Sequence, residues 1–141
     1  MDYVGLKTKS IEHTVVDLNR LLSNYHVYYQ NLRNYHWNIA GPHFFDLHEK
    51  FEELYNVAKT SIDEIAERIL TLRYAPTSTM KEYLELADIN EKPTLDAIEM
   101  VSNILDDHKA LIDNMRSVIS KASKADDEGT IDLIAGFLSD I

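Results

Sequence analysis

The 141 residues contain no cysteine, which excludes disulfides and thiolate metal sites and leaves His, Asp and Glu as metal ligands. Such ligands suit iron, manganese or zinc. Glycine is scarce at four residues, and together with an apolar fraction of 45% this indicates a compact, helix-rich protein. No run of about 18 uncharged apolar residues occurs, and Met1–Ser10 lacks the apolar core of a signal peptide. Neither a membrane span nor export is therefore expected, and the cytoplasm is the default location. Basic residues are outnumbered, with Lys and Arg at 14 against 24 Asp and Glu and a formal charge of −10. That balance argues against a surface that neutralises phosphates and in favour of one that attracts cations. The length fits a single domain spanning residues 1–141.

What is present is helical periodicity. From Ile11 to about Trp37, apolar residues recur as Val15, Leu18, Leu21, Leu22, Tyr25, Tyr28, Tyr29, Leu32 and Tyr35, with no Pro or Gly to interrupt them. Ala40-Gly41-Pro42 ends this stretch. A second begins near Phe44 or Asp46, carries Leu47, Phe51, Leu54, Tyr55, Ala58, Ile62, Ile65, Ile69 and Leu72, and stops before Pro76. Thr77–Asn90 holds a short helix at Met80–Leu86. A third long helix starts after Lys92-Pro93-Thr94, its stripe running from Leu95 and Ile98 to Val118 and Ile119, and frays into Ser123–Glu128. Gly129 then precedes a fourth apolar helix, Thr130–Ile141. The pattern predicts an all-α four-helix bundle with one long crossover between the second and third helices. Twelve residues span only about 18 Å against roughly 40 Å for the neighbours, so the fourth helix is expected to be truncated.

Two pairs of polar residues stand out on the second helix. His48 and Glu52 are four apart, as are Asp63 and Glu67, so each pair projects from one helical face and could chelate a cation. Fifteen residues separate His48 from Asp63, about 22 Å of helix, whereas a transition metal needs ligands within about 2.0–2.3 Å. One chain cannot close such a site. Two helices packed antiparallel about a two-fold axis near Val57–Ala58 would set His48 and Glu52 of one chain against Asp63 and Glu67 of the other, giving two identical sites per dimer. The Glu-x-x-His motif of intrachain di-iron bundles is absent, because Ser10, Ser23, Arg33, Ala40, Phe45 and Leu105 stand three before the six histidines. Simpler readings coexist: His48 and Glu52 also fit a solvated pair, and Asp63 and Glu67 could bond Arg68 or Lys59.

Asn34-Tyr35-His36-Trp37-Asn38, Gly41-Pro42-His43-Phe44-Phe45, Leu47-His48-Glu49 and Ile62-Asp63-Glu64-Ile65-Ala66-Glu67-Arg68 together resemble the Dps mini-ferritins, the DNA-protection-during-starvation proteins of the ferritin-like superfamily. The likeness covers essentially the whole chain. It implies that His36, His48 and Glu52 bind iron together with Asp63 and Glu67 of a two-fold partner. It also implies a cytoplasmic shell of twelve subunits that acts as a ferroxidase: it oxidises Fe(II), preferably with hydrogen peroxide, stores the ferric mineral and protects against oxidative stress. Zn2+ or Mn2+ would suit the same ligands.

The resemblance also suggests lesser roles. Trp37 either carries electrons between metal and oxidant or simply packs. Tyr25, Tyr28, Tyr29 and Tyr35 are read chiefly as core, with radical quenching the alternative. His43 fits an outer shell or a solvated loop, and His13, His26 and His108 receive no role. Asp126, Asp127, Glu128 and Asp132 match the region that lines three-fold iron pores, where carboxylates concentrate cations; a solvated loop is the alternative. Glu49 and Glu53 could face the cavity and nucleate mineral. Only Lys7 and Lys9 precede the first helix, whereas family members that bind DNA commonly carry a lysine-rich tail, so weak DNA binding is expected. The competing reading is a nucleoid-compacting protein whose iron site is secondary.

Overall fold

A computed structural model describes residues 4–93 and 96–141. It contains α1 (Thr8–Asn38), α2 (Phe44–Thr71), α3 (Met80–Leu86), α4 (Ala97–Lys124) and α5 (Glu128–Asp140). The architecture is the all-α, ferritin-like bundle expected, with α3 inside the crossover. Leu95, expected on the stripe of the third long helix, and Thr94 lie outside the described residues. α1 packs against α2, α3 and α4, and α5 packs on α4. Their shared core includes Leu18, Leu21, Leu32, Phe51, Ile65, Ile69, Met100, Leu111, Met115 and Ile134, all 1% exposed or less. α5 accompanies only part of α4, and Ile98 and Leu105 remain 82% and 64% exposed.

Several helix ends are closed by recognisable chemistry, whereas Lys7 and His43, at the starts of α1 and α2, make no side-chain cap. α2 ends in a Schellman motif: Arg73 takes φ 71°, and the N–H groups of Tyr74 and Arg73 donate to the carbonyls of Ile69 and Leu70. α4 ends the same way through Asp126 at φ 55°. Capping boxes open α3 (Thr79 with Glu82) and α4 (Asp96 with Glu99). Instead of fraying as far as Glu128, α4 stops at Lys124, and Gly129 lies inside the first turn of α5. The reason is Asp127, whose side chain caps α5 by accepting from the Thr130 N–H at 3.1 Å.

Asparagines on α1 fasten the crossover. Asn24 accepts from the N–H groups of Asp88 and Ile89, at 2.7 and 3.1 Å, and donates to Asn114 on α4. Asn31 accepts from the Lys92 N–H and donates to the Asn90 carbonyl, while Asn34 donates to the Lys92 carbonyl. Backbone that no helix satisfies thus finds side-chain partners. Among the described residues, no helix is long and apolar enough to cross a membrane.

Candidate metal centre

Gly41, at φ +100°, lets the short link after α1 reverse the chain, a conformation that costs a side-chain-bearing residue far more. The reversal brings His36, in the last turn of α1, against His48, in the second turn of α2. Their rings stack at 3.7 Å with 17° between planes. His36 Nδ1 lies 2.7 Å from the carbonyl oxygen of His48, and His48 Nδ1 lies 2.8 Å from that of His36. A carbonyl only accepts, so both Nδ1 atoms carry a proton, and in the neutral tautomer that this selects the lone pair lies on Nε2. The His36 carbonyl is among the last of α1, which have no intrahelical donor, so His48 also closes the end of that helix. Holding the second ring nitrogen in this way is how proteins fix the tautomer of a metal-binding imidazole.

Aromatic side chains frame the pair. Phe44 stacks on His48 at 4.9 Å, and Tyr55 meets His36 edge-on at 5.3 Å. His36 is 8% exposed, and His48 is intermediate. Glu52, one turn beyond His48, is exposed. Burial, followed by the Glu52 carboxylate beside it, raises the Tyr55 phenol above its ordinary value.

Asp63 and Glu67 are exposed further along α2. Neither forms an ion pair with Arg68 or Lys59. Arg68 instead reaches α5, donating from Nη2 to Asp127 at 2.6 Å and from Nε to Thr130 at 2.9 Å. Among the described residues, no three His, Asp or Glu side chains of one chain converge where a metal could sit.

The other candidates fall into distinct environments. Trp37 is 61% exposed, with the Arg33 guanidinium 5.5 Å from its ring and 4.4 Å from that of Tyr29. Tyr25, Tyr28 and Tyr35 are buried, and burial pushes the phenols of Tyr25 and Tyr35 up to about 12 and that of Tyr28 higher still. His108, expected to have no role, has Nε2 2.7 Å from the Tyr28 hydroxyl, and His26 stacks on Tyr83 at 3.8 Å. Burial lowers both imidazoles. His13, His43 and Glu49 are exposed, and Glu53 pairs with Lys50. Asp126, Glu128 and Asp132 are exposed at the α4–α5 junction. Asp127 departs from its expected pore-lining place: it is 1% exposed, and its carboxylate is engaged by Arg68 and Thr130. Tyr55 is the residue that the periodicity concealed, since it counts on the apolar stripe; its position three after Glu52 and seven after His48 is the signal that marks it.

Comparison with known proteins identifies the family. Residues 16–141 match the ferritin-like domain family. DNA protection during starvation protein 2 of Bacillus anthracis is 42% identical over 125 residues, covering 88% of this chain and 86% of that protein. The crystal structure of the Dps protein from Vibrio cholerae O1, described as a member of a broad superfamily of ferritin-like diiron-carboxylate proteins, superposes with a TM-score of 0.96. It is 38% identical, over 99% of this chain and 89% of that one. A Dps protein from Bacillus brevis gives a TM-score of 0.91 at 41% identity, covering 94% of this chain and 90% of that one. The clamped histidines therefore sit in a chain that belongs to the DNA-protection-during-starvation family of ferritin-like proteins.

Proposed function

We propose that this protein oxidises Fe(II) with hydrogen peroxide at sites completed between two copies of the chain, and stores the ferric product inside a shell of twelve subunits. Iron is substrate and cargo here, not a resident cofactor. The observation that carries the reading is the reciprocal clamp between His36 and His48, which ties up both Nδ1 atoms and leaves Nε2 of each ring as the nitrogen for a metal. Glu52 adds an oxygen ligand from the same chain, and Asp63 and Glu67 supply two more to the partner's site. Imidazole with carboxylate binds Fe(II), and the hard oxygens favour Fe(III) once it forms.

In the balanced reaction two Fe(II) each lose one electron, one peroxide takes both electrons and two protons, and two waters leave. Two-electron reduction releases no hydroxyl radical. The exposed Asp126, Glu128 and Asp132 would draw Fe(II) towards the shell through their field.

The test mixes two variants. A His36→Ala/His48→Ala chain lacks one half of each site, and an Asp63→Ala/Glu67→Ala chain lacks the other. Each mixed dimer then holds one full pocket and one empty pocket. Anaerobic Fe(II) titration is expected to find sites in the mixture that neither parent has. Peroxide added to the loaded protein should raise ferric absorbance faster than dioxygen does. Absence of recovered sites in demonstrably mixed dimers would refute the shared pocket, and faster oxidation by dioxygen would refute the oxidant.

A further inference from the structure

A shared pocket needs two copies of the chain in register before iron arrives. Three large apolar side chains of α2 are exposed: Phe45 at 81%, Val57 at 59% and Leu70 at 56%. A lone exposed apolar residue means little, but the placement of two of these is symmetric. Phe45 lies twelve residues before Val57 and Leu70 twelve after Ala58, so the two are centred on the Val57–Ala58 bond. The proposed ligands share that centre. His48 and Glu67 stand nine residues before Val57 and nine after Ala58, and Glu52 and Asp63 stand five before and five after. At about 100° per residue, Glu52, Asp63, Glu67 and Leu70 all fall within about 40° of Phe45 around the helix. Val57 points about a third of a turn away from Phe45, where it lines a groove with Phe137.

We propose that Phe45 of each chain packs on the partner's Leu70 across a two-fold axis at Val57–Ala58, and that these two apolar contacts set the register of the pair without metal. The inference rests on the shared-site reading above and names what holds that site together. An isologous contact requires a self-complementary face, and this one pairs apolar with apolar at both ends. Its middle cannot do the holding. The antiparallel register sets Glu52 against the partner's Asp63 at two places, and like charges brought face to face repel until a cation lies between them. Each Phe45–Leu70 contact takes two exposed apolar side chains out of water, an attraction that needs no charge and no metal. Phe45 is also coupled to the ligands, because its ring meets Phe44 at 5.4 Å and Phe44 stacks on His48 at 4.9 Å. Seating Phe45 therefore places the histidine end of one α2 opposite the carboxylate end of the other.

The chain has no cysteine, so a cysteine pair can report the register without touching Phe45, Leu70 or the proposed ligands. Glu49 and Ala66 stand eight residues before Val57 and eight after Ala58. Within one chain they are 17 residues apart, about 25 Å of helix, which is too far for a short bis-maleimide. The register sets like positions of the two chains equally far apart. Glu49→Cys/Ala66→Cys, treated in chelator, is expected to give a covalent dimer on a denaturing gel and no ladder, because a two-fold contact closes on itself. Each cysteine alone should give neither. Phe45→Asp or Leu70→Lys, added to the reporter pair at positions where those charges suit the helix ends, should cut the metal-free dimer about tenfold. Adding both should restore most of it, since each Asp then faces a Lys, and that recovery also shows that neither charge unfolds the chain. A ladder, no dimer, cross-linking by a single cysteine as strong as by the pair, a dimer that needs Fe(II), or indifference to both charge changes overturns the proposal. If the expected results hold while the mixed His36→Ala/His48→Ala and Asp63→Ala/Glu67→Ala chains recover no Fe(II) site, the proposed function fails and the docking face stands.

Discussion

Asp107 offers a sharp test of how this bundle is held together. It lies on α4, is 4% exposed, and accepts a hydrogen bond from Asn31 Nδ2 at 3.3 Å, a donor that also serves the Asn90 carbonyl. Burial pushes its carboxyl from 3.8 up to about 6, with the Asn31 bond and Lys92 opposing. A carboxyl raised on folding gives the fold its full support while protonated, below 3.8, and that support is lost as pH climbs through about 6. Each tenfold displacement of an ionisation equals about 1.4 kcal/mol, so the buried charge costs on the order of 3 kcal/mol at neutral pH. Asp107→Asn keeps the shape, can still accept from Asn31 and carries no charge. Urea unfolding at neutral pH should show a gain of roughly 2–3 kcal/mol, shrinking to a small remainder near pH 4. An equal gain at both pH values, or a loss at neutral pH, would mean that the Asp107 charge is held by interactions stronger than the single long hydrogen bond, and the reasoning would fail.

Three other perturbations follow from the same geometry. Gly129→Ala should destabilise even though alanine is the better helix former by about 1 kcal/mol, because its Cβ would lie 2.7 Å from Arg68 Nη2 and dislodge the guanidinium from Asp127 and Thr130; thermal unfolding checks the sign. Asn24→Ala strands the N–H groups of Asp88 and Ile89, and should cost about 2–4 kcal/mol by chemical unfolding, with faster amide exchange confined to the crossover. Thr79→Ala removes the capping box of α3 and should cost about 1 kcal/mol, read as a lower urea midpoint with an unchanged slope.

The fold was legible because its signals are local and repeated. Apolar spacing marks each long helix, and Gly41-Pro42 marks the break between α1 and α2. The end of α4 was harder to read, since Lys124, Ala125 and Asp126 look like a fraying polar stretch until Asp126 adopts φ 55° and Asp127 turns to cap α5. A Schellman ending normally advertises itself with glycine, and here aspartate and arginine occupy the left-handed positions. The same substitution of role misdirects the reading of Asp127. On paper it is one carboxylate in an acidic run, and only the reach of Arg68 from α2, 59 positions away in sequence, shows that its charge is used internally.

The candidate centre divides along the same line. His48, Glu52, Asp63 and Glu67 stood out because four-residue spacing on a helix is a statement about geometry, and the distance between the pairs is too great for one helix to bring them to a single metal. The bond between His36 and His48 was not visible, since it joins a side chain on each helix to a carbonyl on the other and depends on how tightly Gly41 turns the chain. That clamp is what separates two histidines that merely lie near one another from two imidazoles whose free nitrogens are settled before any metal arrives. Sequence spacing supplies ligand types, whereas second-nitrogen contacts decide the tautomer, and the tautomer decides which nitrogen can face a cation. Tyr55 follows the same logic: periodicity files it with the core, and only the fold shows its ring edge-on to both His36 and Tyr29.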